Sequence, residues 1–408
     1  MREALTRRRL IGLAGCLSVV IAVIAVAAIA GGGGDQAAPT GKTLPEGGSS
    51  FGAGTAQAST TTTAAAPKPA AAAAAKETAK PTGGLPAPAA RSAARLFLVG
   101  FGGTAPRSAI LQTFTEHEWG GVVLEPGNGA SPQQVAGLVG QIRGAALDAR
   151  HEPPLFAASQ LGGELDAVPV GSALQSAARD AAAARAAALG SAKALHQLGL
   201  RMVLAPDADI GFAGGPWDGI AFSDDPKSAA ELTAAAVAGW KDGEIAPAPG
   251  HFPGEGAASA DPALEAATVG LSLDDLRARD FQPFQAIVDH APAIQLSSAT
   301  YVAFDGVTPA TLLPDVVRLL REDLKFKGVI VSGDLAAASL AGGQPVASLA
   351  VAAIKAGVDL VWIPGGADDQ HAAWRAVTKA LRDGKIPVSR VADALRRVRE
   401  LREDYGVK

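Results

Sequence analysis

The sequence predicts an α/β fold, a (β/α)8 barrel of the TIM type, preceded by a transmembrane helix and a low-complexity linker. Three observations predict it. Eight short apolar runs recur from residue 96 to residue 363. Segments of helical periodicity lie between the runs. The stretch that holds them, residues 93–408, has the size of one such barrel. An open doubly wound sheet would show the same periodicity, so pattern alone leaves that alternative standing.

In chain order, residues 1–9 form a basic N-terminus ending in Arg7-Arg8-Arg9, and Leu10–Ala30 carries no charged residue. As a helix this segment would be roughly 31 Å long, the thickness of a hydrocarbon core. The arginines should stay on the cytoplasmic side, which places the rest of the chain outside a single-pass cell-membrane anchor. Two alternatives stay open. Ala28-Ile29-Ala30 before Gly31 has the small residues of a signal cleavage site, and Leu13-Ala14-Gly15-Cys16 has the form of a lipobox around the sole cysteine. All three readings export the chain. A single cysteine allows no internal disulfide, so the fold rests on its core. Residues 31–92 are built from Gly, Ala, Thr and Pro and lack the apolar side chains that offset ordering entropy, so they read as a stalk.

The strand candidates are Leu96–Val99, Gly121–Leu124, Leu155–Ala158, Met202–Ala205, Glu244–Pro247, Ala293–Leu296, Gly328–Val331 and Leu360–Ile363. Each is too short for a helix and reads as a buried parallel strand. Between them, Ala173–Leu198 is helix-forming through its alanine content. Thr311–Lys325 carries an apolar helical face through Leu312, Val316, Leu319 and Leu320.

Composition and spacing exclude several classes. A formal charge of −4 offers no bias toward nucleic acid. Gly100-Phe101-Gly102-Gly103 follows the first strand but lacks the G-x-G-x-x-G spacing, so no dinucleotide cofactor is expected, nor any other cofactor. The six histidines are not at metal-ligand spacing along the chain, so no zinc site is expected.

The most informative motif is Gly250-His251-Phe252-Pro253-Gly254-Glu255-Gly256, followed by Asp261. It resembles the Lys-His-Phe-Pro-Gly-His-Gly loop of the β-N-acetylhexosaminidase branch of glycoside hydrolase family 3. The resemblance extends in order over most of residues 95–365. It includes Pro154–Gly163, Leu198–Asp209, Phe222 with Asp225-Pro226, Arg279–Phe284, Tyr301 with Asp305, and Gly328–Leu335. It implies a retaining hydrolase of cell-wall amino sugars, with a glycan or muropeptide as partner. It also implies which chemistry this copy lacks.

In that family the first Asp of Ser-Asp-Asp-Leu is the nucleophile, and a second group about 5 Å away protonates the leaving oxygen. The matching position here is Gly333, which has no side chain with which to form a glycosyl-enzyme intermediate. The histidine of the family's Asp-Ser-His acid/base run falls on Ala263, with its aspartate at Asp261. Weak catalytic candidates remain: Asp334 as a relocated nucleophile or a turn cap, Glu255 as a buried acid or a solvated loop carboxylate, and Asp261. The resemblance also implies losses among the sugar-gripping charges, at Ser159, Leu161, Ile220, Gly250 and Ser298. His251, Asp209 and Ser159 are the substrate-binding candidates, with His251 as a satisfied loop histidine the alternative.

Two functions follow as expectations. One is an extracytoplasmic, membrane-anchored hydrolase of this type with impaired catalysis. The other is a non-catalytic barrel that binds glycan or a partner in the envelope. A third reading is a structural protein whose pocket is filled by Leu161, Ile220 and Trp217.

Overall fold

The computed structural model describes residues 92–106 and 108–407. The expected basic N-terminus, membrane span and all but the last residue of the linker lie outside the described residues. Among the described residues, no single helix is long and apolar enough to cross a membrane.

The eight apolar runs become the strands of one parallel sheet. They are β1 (Phe97–Val99), β2 (Gly121–Leu124), β3 (Leu155–Ser159), β4 (Met202–Leu204), β5 (Ala246–Pro247), β7 (Ala293–Gln295), β9 (Val329–Asp334) and β10 (Leu360–Ile363). The order is β5-β4-β3-β2-β1-β10-β9-β7. The two end strands meet just beyond β5. Gln295 N donates to Pro249 O at 2.9 Å, Phe252 N to Gln295 O at 2.9 Å, and Ser297 N to Phe252 O at 2.8 Å. The motif loop therefore closes the barrel seam as well as bordering its mouth. A separate two-stranded ladder, β6 (Thr268–Val269) with β8 (Thr300–Tyr301), was not foreseen from the sequence.

Alternation along each strand divides the core in two. Leu98, Val123, Leu155, Ala157, Met202, Val329 and Val331 pack with one another inside the barrel. Phe97, Val99, Val122, Leu124, Phe156 and Ile330 belong to the layer beneath the helices.

The helices are α1 (Ser108–Glu116), α2 (Pro132–Asp148), α3 (Ala181–Gln197), α4 (Pro226–Asp242), α5 (Leu273–Ala278), α6 (Phe281–Ile287), α7 (Pro314–Arg318), α8 (Leu335–Gly342), α9 (Val346–Ala356), α10 (Ala367–Arg382) and α11 (Val388–Asp404). Two depart from expectation. The alanine-rich segment starts its helix only at Ala181, because Asp180 caps it by accepting from Ala183 N at 2.8 Å. Upstream, Gln175 starts a separate 3-10 turn, Gln175–Ala177, and exchanges two hydrogen bonds with the backbone of Asp207. The 311–325 segment breaks into a 3-10 turn, α7 and a π turn over Leu319–Asp323.

At the N-terminal end of the barrel, Val398 and Leu401 of α11 join the interior cluster. Arg402 reaches Gly120 O and Pro153 O, just before β2 and β3. Beside it, fully buried Asp359 accepts from Arg321 at 2.6 Å, Arg397 at 3.2 Å and Ile330 N at 3.0 Å, with Arg390 as a fourth partner. Ordered ion pairs occupy this end, which leaves the C-terminal end of the strands for a binding site.

Candidate functional site at the C-terminal end of the barrel

The motif loop is held by packing that tolerates little but glycine. Gly254 has φ +124°, and a Cβ there would lie 2.5 Å from Asp280 Cβ. A Cβ on Gly256 would collide with Ile210 O. The loop carries cis peptide bonds at Gly250-His251 and Phe252-Pro253. Tyr301 Oη donates to Gly254 O at 2.9 Å, and Phe252 packs against Phe281 and Phe284. These contacts are a structural reason for the loop to keep its glycines whatever the state of the chemistry.

The loop places His251 among carboxylates from two strand ends. His251 Nδ1 lies 2.8 Å from Asp209 Oδ2 and 3.5 Å from Glu255 Oε2. Asp209 Oδ1 accepts from Glu255 N, and Asp207 Oδ1 from Asp209 N at 2.7 Å. Ser298 N donates to Glu255 Oε1 at 2.9 Å. Glu255 is 2% exposed, so it is a buried member of the cluster and not a solvated loop carboxylate.

Burial opposes charge on His251, but Glu255, Asp209 and Asp207 outweigh it and push the imidazole up to about 10. Burial, with the Asp209 charge adding to it, raises Asp207 well above the ordinary carboxyl range. Burial also raises Glu255, against the pull of His251. At neutral pH this is an imidazolium held among carboxyls that share its charge. With Nδ1 taken by Asp209, Nε2–H is the donor left for a ligand. Asp207, Asp209 and His251 bring one donor atom each to within 4.8 Å of one another, a set that could also hold a cation. The indole of Trp217 stacks on His251 at 5.0 Å between ring centroids.

The positions that the resemblance equates with the nucleophile, the acid/base run and the sugar-gripping charges are equally defined. A side chain at Gly333 would meet Ser298 Oγ at once, and would lie 3.0 Å from Leu296 O and 3.1 Å from Ser298 N. Asp334 is committed to α8 as its N-cap, accepting from Ala336 N at 2.7 Å and Ala337 N at 2.9 Å. Asp261 Oδ1 accepts from Ala263 N at 3.0 Å, and Ala263 is exposed. Ser159 ends β3, half-buried and in register with Leu204. Buried Ile220 and partly buried Leu161 pack with Trp217 in one apolar cluster, at two positions where the resemblance implies charge. An apolar cavity of about 220 Å³ lies beside the mouth, between loop 160–178 and helices α3 and α4, and its lining includes no member of the His251 cluster.

Sequence reasoning missed Glu125 and Asp207. Glu125 follows β2, and Gly100 leaves room for it, since a Cβ there would sit 3.3 Å from Glu125 Oε2. Burial pushes its carboxyl up to about 8, with the nearby Asp334 charge adding to the rise. Burial likewise pushes Asp334 up to about 6, against the backbone N–H groups of its cap. The only sequence signal was the position of each residue just past the end of a strand run.

The comparisons agree with this fold. The family model described as glycosyl hydrolase family 3 N terminal domain matches residues 91–401. A β-hexosaminidase of Stenotrophomonas maltophilia (strain K279a) is 33% identical over 290 residues, covering 66% of this chain and 83% of that protein. Its counterpart in Xanthomonas oryzae pv. oryzae (strain KACC10331 / KXO85) is 32% identical over 283 residues, with 66% and 83% covered. Among solved structures, a family 3 β-N-acetylglucosaminidase from Paenibacillus sp. str. FPU-7 superposes with a TM-score of 0.73 at 28% identity, covering 78% of this chain and 62% of that one. A β-N-acetylhexosaminidase from Beutenbergia cavernae DSM 12333 gives 0.70 at 28% identity, covering 77% and 98%. The chain thus belongs to glycoside hydrolase family 3, through its N-terminal barrel domain, and is similar to the β-hexosaminidases of that family.

Proposed function

We propose that this protein is a membrane-anchored family 3 barrel that binds cell-wall amino-sugar glycan outside the membrane, with hydrolysis impaired or lost. One observation carries the reading: at Gly333, where the resemblance sets the family's nucleophile, Ser298 Oγ occupies the room a side chain would need. Without a carboxylate at that point no glycosyl-enzyme forms by the family's route. Retained binding is supported by the His251–Asp209–Glu255 cluster, a charged donor set at the strand ends suited to sugar hydroxyls. Anchoring is supported by Arg7–Arg9 ahead of the uncharged run Leu10–Ala30.

A second reading, residual hydrolysis, is favoured by the carboxyls of Glu125 and Asp334, which interact and sit at about 8 and about 6. Groups separated in this way suit an acid and a base. The test is an aryl N-acetylglucosaminide assay on the purified full chain, beside calorimetric titration with muropeptides. Saturable heat without aryl release supports binding without hydrolysis. Release that disappears in Glu125→Gln and Asp334→Asn supports the second reading. Neither heat nor release from folded protein would overturn both.

A further inference from the structure

Outside the barrel mouth, the end of α1 and the first turns of α10 bring together three side chains that no sequence spacing connects. Glu116, His117 and His371 each offer one donor atom, and all three atoms lie within 4.8 Å of one another. We propose that they form a binding site for a divalent transition-metal ion of the zinc type.

Two imidazoles and a carboxylate are a donor set for Zn2+, Ni2+ and Cu2+, and are poorly suited to Mg2+ or Ca2+, which prefer oxygen alone. His371 Nε2 is buried and has no hydrogen-bond partner. It faces Glu116 Oε2 across 3.9 Å, too long for a hydrogen bond. Two atoms bound tetrahedrally to one Zn2+ at about 2.0–2.1 Å stand about 3.3 Å apart, so an inward shift of about 0.6 Å brings this pair to ligand spacing. Glu116 can supply that shift, because its side chain is 42% exposed. Gln112 Nε2 holds its other oxygen, Oε1, at 2.6 Å, which leaves Oε2 for the ion.

The imidazoles are fixed by aromatic walls. His117 lies 4.3 Å from Trp374, 4.8 Å from Trp119 and 4.8 Å from His371 between ring centroids, and Trp119 stacks against His371 at 6.3 Å. An ion here would tie the helix after the first strand to the helix after the last, across the seam where β1 meets β10. Three protein ligands leave a position for water.

The walls supply the readout. Purified full chain, stripped with chelator, is titrated with ZnCl2 by calorimetry and with NiCl2 by tryptophan fluorescence. The expected results are a Zn2+ dissociation constant below about 10 µM and Ni2+ quenching that Trp374→Phe reduces. His371→Ala should weaken Zn2+ binding by about 100-fold or more, and Glu116→Gln by about fivefold or more. Glu116 is exposed, so Glu116→Gln decides the matter if His371→Ala fails to fold. Absence of binding at about 100 µM Zn2+ overturns the proposal. Binding and quenching that persist unchanged in Glu116→Gln and His371→Ala also overturn it, since the ion then sits elsewhere.

Discussion

Replacing Gly333 with alanine tests whether the position that the resemblance equates with the nucleophile is closed to a side chain. The new Cβ would collide with Ser298 Oγ and press on Leu296 O at 3.0 Å and Ser298 N at 3.1 Å. The hydroxyl must give up its place beside Asp334 O, and the two backbone atoms must give by a few tenths of an ångström. Overpacking of this kind costs about 1–3 kcal/mol. At roughly 2–3 °C per kcal/mol for a domain of this size, the melting temperature should fall by about 2–9 °C. Ser298→Ala alone loses only a long hydrogen bond to Asp334 O, at 3.3 Å, and should cost under about 1 kcal/mol. Combined with Gly333→Ala it removes the colliding atom, so the double variant should recover at least about 1 kcal/mol over the additive sum. Thermal unfolding followed by far-ultraviolet circular dichroism, on all four proteins, measures the cycle. If Gly333→Ala falls within about 0.5 kcal/mol of the parent, or the two changes simply add, Ser298 does not fill that space and the structural case for lost catalysis collapses.

Other substitutions probe the rest of the molecule. Asp359→Ala strips a fully buried carboxylate from Arg321, Arg390 and Arg397 and should cost about 3–5 kcal/mol by urea unfolding. Glu125 has its folded value raised to about 8, so its contribution is fully present below about 4.5 and lost as pH rises through about 8. Glu125→Gln should therefore raise the melting temperature at about pH 9 and leave it nearly unchanged at about pH 4; equal effects at both would contradict the burial of that carboxyl. His251, raised to about 10, contributes stability present below about 6.5 and lost as pH rises through about 10, and Trp217 stacked on it should report the deprotonation by fluorescence. Asp225→Ala removes the N-cap that accepts from Ser228 N at 2.8 Å and should cost about 1 kcal/mol in a melt.

The sequence by itself determined the strands and the lineage. Each of the eight apolar runs is a short buried segment bounded by turn residues, and burial on both faces of a parallel sheet demands that composition. The motif loop was legible because Gly254 and Gly256 occupy points where a side chain would meet Asp280 or Ile210, so fold and motif constrain the same residues. Gly333 was legible for the same reason, since it stands in an ungapped block where the resemblance sets the family's nucleophile. Tertiary structure alone decided three things. Period-two alternation is common to open and closed sheets, whereas hydrogen bonds from Phe252 and Gln295 close this one. The burial of Glu255, the place of Asp207 beside His251, and the approach of Glu125 to Asp334 depend on strand ends that converge in space from distant parts of the chain. The same convergence joins Glu116 and His117 to His371, more than two hundred residues apart, where spacing along the chain showed no cluster. Chain spacing reports contacts within one element; a barrel makes its sites between elements, and electrostatic interaction falls off with distance in space, not in sequence.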